Sequence, residues 1–184
     1  MKPSSLEGGK LFMNTRQTCL IKAAAMLLLA CSLPTLVAAQ DRAVILAGPD
    51  LSRVTPPGFY FQGLSAPTQM RNSAALRIGK SRHVIAGLVD TSGYSADVRE
   101  KYQGFFITDS DISIDGNALK NGAYGFGFSS DGKFNIMDLA GNQILSASTA
   151  KDAALKRPRP LMMSVDGERV RLYSGRDYVL IDAK

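Results

Sequence analysis

The sequence predicts an all-β domain: an antiparallel meander closed as a sandwich or small barrel, with one or two short helical turns. Three observations carry this. Turn-forming pairs recur at short intervals, each between apolar runs: Asp115-Gly116, Asn121-Gly122, Asp131-Gly132, Gly141-Asn142, Asp166-Gly167 and Ser174-Gly175. Such residues tolerate the positive φ that tight hairpins demand. Between the turns, side chains alternate with the period of two that sends neighbours to opposite faces of a sheet. Tyr124, Phe126 and Phe128 share one face, and Phe134 with Ile136 continues an apolar face beyond the next turn. Ile112 and Ile114 alternate with Asp111, Ser113 and Asp115, and Val170 and Leu172 with Arg169 and Arg171. Residues 84–89 are apolar throughout, as in a central strand covered on both faces.

From these patterns strands are expected at 75–79, 83–89, 104–108, 111–115, 122–128, 133–138, 143–147, 161–165, 169–173 and 177–181. Ser95 is placed to start a helical turn through Tyr102, with Tyr94, Val98 and Tyr102 four apart. Thr149 opens a second capping pattern, whose helix would stop before Pro158. Ala123, Gly125 and Gly127 form a bare face opposite three aromatics, which calls for tight packing by another element or a ligand. Residues 40–73 carry Pro49, Pro56, Pro57 and Pro67 and read as a loosely structured lead-in with edge strands at 43–47 and 59–61.

Residues 1–39 read as a secretory signal peptide. Lys2, Lys10, Arg16 and Lys22 precede an apolar run at 23–39 that ends in Val37-Ala38-Ala39 before polar Gln40-Asp41. Cleavage after Ala39 gives a periplasmic or secreted protein. The alternatives are a retained anchor and lipidation at Cys31, and the start codon is Met1 or Met13. Both cysteines, Cys19 and Cys31, lie in this leader. A chain beginning at Gln40 therefore has no disulfide, thiolate ligand or cysteine nucleophile. Its domain organisation is read as the lead-in at 40–73 followed by one β-rich domain at 74–184.

Charge limits the partners. The whole chain carries +6, and removing the leader leaves 18 basic against 15 acidic residues. Residues 40–150 are balanced, so the excess lies in 151–184. This is a patch, without the dense basic stripe of a nucleic-acid footprint. The candidate anion- or partner-binding residues are Arg157, Arg159, Arg169, Arg171 and Arg176. Their expected contacts are an envelope protein or an anionic surface such as lipid headgroups or acidic glycans. No nucleic acid is expected, and membrane contact only through a leader that is retained or lipidated.

Catalytic patterns are weak. Gly79-Lys80-Ser81 ends like a phosphate-binding loop, but the Gly required five residues before it is Ala74. Asp109, Asp111 and Asp115 lack the spacing of a calcium loop, since Ser113 and Ile114 occupy ligand and turn positions. Ser148-Thr149-Ala150-Lys151 and Ser130-Asp131-Gly132-Lys133 both match S-x-x-K without its companion elements. His83 is the only histidine, and only Glu100 and Glu168 follow the leader among glutamates. No cofactor or metal is expected. The expected function is an exported, non-enzymatic binding or structural module. The alternatives are a small hydrolase of envelope polymers using His83 or Asp/Glu, and a barrel carrying an apolar ligand on Phe126, Phe128, Phe134 and Ile136.

Overall fold

The computed structural model describes residues 42–182. The signal-peptide reading, cleavage after Ala39, the Cys31 alternative and the start at Met1 or Met13 lie outside the described residues. Within them run β1 (Ala43–Ile45), α1 (Gly48–Val54), β2 (Gly58–Phe61), β3 (Leu64–Ile78), β4 (Arg82–Val89), α2 (Ala96–Lys101), β5 (Gly104–Thr108) and β6 (Ile112–Ile114). They are followed by β7 (Asn117–Leu119), β8 (Gly122–Ser129), β9 (Lys133–Met137), β10 (Gln143–Ser148), β11 (Ala150–Lys151), β12 (Arg159–Asp166), β13 (Arg169–Gly175) and β14 (Asp177–Asp182).

The strands form two antiparallel sheets packed against each other, as the turn chemistry predicts. The larger has the order β1-β3-β4-β5-β8-β9-β10, with β2 on β3. The smaller has the order β12-β13-β14-β6-β7, with β11 on β14. The run 143–151 begins beside β9 and ends beside β14, so one stretch of chain passes from sheet to sheet. β12 lies against β3 and β1 at the other side. The sandwich is thus bridged along both flanks.

Alternation sorts the large sheet into two apolar faces. Leu76, Ile78, Val84, Ala86, Phe106, Phe126, Phe134 and Ile136 point inward and meet Leu161, Met163, Val170, Leu172, Val179 and Ile181 of the small sheet. The odd-numbered neighbours Ala75, Ile85 and Phe105, with Met137, point outward into a second core. That core is closed by Phe59 and Phe61 of β2, by Tyr94 and Tyr102, and by Leu51 and Val54 of α1. β4 is therefore buried on both faces, as its unbroken apolar run predicts.

The bare face of β8 is filled by packing. A Cβ at Gly125 would meet the Phe61 ring, and one at Gly127 would sit 2.0 Å from the backbone carbonyl oxygen of Lys101. The side-chain amide of Gln103 then acts as a short strand: its Nε2 donates to the Phe128 carbonyl at 2.8 Å, and its Oε1 accepts the Phe128 N–H at 3.1 Å.

Two expectations are corrected. The lead-in at 40–73 contains α1, β2 and most of β3, and its Phe59 and Phe61 are core residues. The boundary at 73/74 falls inside β3, where a bulge between Thr68 and Ser73 lets the first half pair with β2 and the second with β4. The helix from Thr149 does not form. Ala150 and Lys151 pair with Tyr178 and Asp177 instead, because an open strand position is available there. The first helical turn is present as α2, with Ser95 at its N-cap position and Tyr102 at its C-cap.

Candidate functional site

Strand register divides the five candidate arginines into three locations. Arg159 lies opposite Gly175, next to Arg176, and Arg157 lies two residues upstream. The Asp152 N–H donates to the Arg176 carbonyl at 2.9 Å, which brings 151–157 to the same end of the small sheet. Lys151, Lys156, Arg157, Arg159 and Arg176 are exposed there together. The carboxylates at this end are Asp152 and Asp177. Asp177 is 3.9 Å from Lys151, and Asp152 is held by Arg171 and Tyr173. Arg157, Arg159 and Arg176 have no ion-pair partner among the described residues.

Arg171 belongs to the interior of a polar network. Its Nε donates to Asp166 at 3.0 Å, and its second amino group lies 2.8 Å from the same carboxylate. The other amino group reaches Asp152 at 3.4 Å and the Tyr173 hydroxyl at 3.3 Å, while that hydroxyl donates to Asp152 at 3.0 Å. The guanidinium carbon stands 4.7 Å from the centre of the Tyr178 ring. The bond with Tyr173, then that with Asp166, raises its pKa above the ordinary arginine value. A cation so fully partnered is a strut of the sheet rather than a docking group. Arg169, at the far end of β13, lies 4.0 Å from Asp182.

The aromatic candidates are core residues. Phe126 and Phe134 are 0% exposed, and ring centroids lie 5.6 Å apart for Phe126–Phe134 and 4.8 Å for Phe128–Phe134. Ile136 is likewise 0% exposed in the same cluster. His83 Nδ1 is 3.5 Å from Asp109, whose carboxylate also accepts the His83 backbone N–H at 2.8 Å. No hydrogen bond joins the His83 ring to a serine hydroxyl among the described residues. No group of three or more His, Cys, Asp or Glu is placed to hold a metal among the described residues.

Sequence reasoning did not single out a concavity of about 440 Å³ on the outer face of the large sheet. It is lined by Lys101, Ser129, Asp131, Lys133, Asn135, Met137, Gly141, Gln143 and Ser146. A chain of hydrogen bonds crosses it. Ser146 Oγ donates to Asn135 Oδ1 at 2.7 Å, Asn135 Nδ2 to Ser129 Oγ at 3.3 Å, and Ser129 Oγ to Asp131. The Ser129 bond, with help from Lys133, holds the Asp131 carboxyl below its ordinary range. Lys133 Nζ stands 3.3 Å from Asp131, and Lys101 has no carboxylate partner among the described residues. The one signal in the sequence is that Lys133 and Asn135 alternate with the apolar residues of β9, which marks a wet face and nothing more.

Comparison with known proteins gives no match to a family model, a curated protein or a solved structure.

Proposed function

We propose that this chain is an exported, non-enzymatic binding module that docks on an anionic surface through the β11–β12 end of its small sheet. One observation carries the reading: Arg157, Arg159 and Arg176 stand exposed and unpaired beside Lys151 and Lys156, while both nearby carboxylates are already engaged. Clustered cations on one rim attract anions at short range and lose that attraction in salt. Arg169 and Arg171 fall outside the docking group, because each is committed to a carboxylate of the fold.

The test uses the exported protein, purified as the host processes it, with polygalacturonate and phosphatidylglycerol vesicles as probes. Binding to at least one probe is expected at low salt, and it should weaken steeply as salt rises. The triple variant Arg157→Gln, Arg159→Gln, Arg176→Gln should lose it, with an unchanged circular dichroism spectrum. Absence of binding to both probes, or undiminished binding by the triple variant, would refute the reading.

A further inference from the structure

The structure assigns the concavity on β8, β9 and β10 as a subsite for one uronic-acid unit of a linear acidic polysaccharide, whose following carboxylates run on to the arginines of the small sheet. This rests on the docking reading above and names its ligand class.

Three observations converge. First, the groove is of ligand size: about 440 Å³ lies within the range of small-molecule sites. It occupies the part of the outer face that β2, α1 and α2 leave uncovered; the second core reaches Met137, and the polar lining begins beyond it.

Second, its lining is arranged for hydroxyls. The Ser146–Asn135–Ser129–Asp131 chain fixes each side chain by its neighbour. Asn135 keeps one amide N–H and one acceptor direction for a ligand, and Gln143 adds a second amide nearby. Donors and acceptors held in fixed directions match a sugar ring, whose hydroxyls both give and take hydrogen bonds. The charges in the groove are Lys101, Lys133 and Asp131, one net positive. Lys133 is the partner of Asp131, so Lys101 is the ammonium open to a carboxylate. A neutral sugar would leave that charge unanswered, and a polyphosphate would press against Asp131.

Third, backbone pairing links the rim of the groove to the basic end. The Thr149 N–H donates to the Gly132 carbonyl at 2.8 Å, and the Thr149 hydroxyl reaches the same carbonyl at 3.0 Å. This ties the Asp131–Lys133 turn to the strand that passes between the sheets. Two residues on, Lys151 pairs with Asp177, beside Arg176, and Arg176 neighbours the partner of Arg159. In strand register the cations succeed one another as Lys133, Lys151, Arg176 and Arg159, and Lys101 lines the same groove as Lys133. A linear polymer with a carboxylate on every ring fits a succession of cations on several strands better than a lipid headgroup, which presents its charge at one plane.

The experiment is an amide-resolved NMR titration of the processed protein with trigalacturonate, with neutral galactan trimers and phosphatidylglycerol vesicles in parallel arms. Shifts are expected at Asn135, Ser146 and Lys133, continuing to Lys151 and Arg176. The double variant Lys101→Gln, Asn135→Ala should bind about tenfold more weakly, as the loss of one exposed ion pair and one neutral hydrogen bond implies. The neutral trimer should bind far more weakly than the acidic one. Shifts confined to Arg157, Arg159 and Arg176, with the double variant binding as wild type, would overturn the subsite and leave the docking reading standing. Equal binding of neutral and acidic trimers would overturn it, as would capture by vesicles alone. Failure of every arm would overturn both readings.

Discussion

Individual residues show where this fold has no slack. A methyl group at position 127 would collide with a backbone oxygen, which cannot swing aside as a side chain can. Gly127→Ala is expected to lower the unfolding free energy by about 3 kcal/mol in urea titration. Gly93→Ala, where nothing lies within 4 Å, should stay within about 0.5 kcal/mol of wild type. Tyr102 offers the opposite case. It is 0% exposed and stacked at 3.9 Å on Phe61, yet its hydroxyl makes no hydrogen bond of full geometry among the described residues, the Tyr94 hydroxyl being a weak contact. Burial first, then the neighbouring Tyr94, pushes its pKa upward. Tyr102→Phe removes a poorly compensated polar atom, so its thermal midpoint should equal or exceed that of wild type; a clear drop would show that the Tyr94 contact stabilises the fold. Asp138 carries the acid sensitivity of the β9–β10 turn. It accepts bonds from the Asn142 side chain and from the Ala140 and Asn142 backbones, which lower its pKa from 3.8. A depressed carboxylate stabilises the fold above its unfolded pKa, and that contribution fades as pH falls through the folded value. Asp138→Ala should therefore be less stable than wild type at neutral pH, with the gap narrowing below pH about 4.

At the level of elements, the clearest case is the Gln103 amide, which extends the ladder of β8 past the end of β5. Gln103→Ala leaves both polar groups of the Phe128 backbone without these partners, at a cost of about 1–3 kcal/mol. Faster hydrogen exchange at the Phe128 amide would report it directly. The elements legible in the sequence were those that one local rule decides. The hairpins were announced by Asp-Gly and Asn-Gly pairs, and β4 by its unbroken apolar run. The empty face of β8 announced its cover, although not that a carbonyl and a phenylalanine would supply it. What stayed hidden depends on distant partners. Pro67 suggests loose chain, but it pairs with Gly58 of β2, and on its other side β4 has ended, with only the Asp90 N–H donating to the Pro67 carbonyl at 3.0 Å. That is the edge setting in which a missing N–H is harmless. The pattern from Thr149 fits a helix in isolation, yet β14 offers a place in a sheet and wins. The candidate arginines read as one patch because the basic excess falls within 151–184. Nothing local to Arg171 showed that Asp152 and Asp166 would converge on it.

At the largest scale, the described residues place a large sheet between two cores, with a smaller sheet on one side and helices and a hairpin on the other. Its small sheet depends on β14, which pairs with β13 along its length, with β11 at one end and with β6 at the other. Val179 and Ile181, 1% and 0% exposed, carry the interior of that strand. Truncation before Asp177 should abolish cooperative unfolding and leave the protein open to trypsin; a surviving folded large sheet, seen by circular dichroism and protease resistance, would contradict this. The same placement bears on delivery. Under the export reading, a chain threading through a membrane pore amino end first releases β14 only after every other strand of the two sheets. Until then β6, β11 and β13 lack the partner they share, so under that reading the small sheet closes only on the far side.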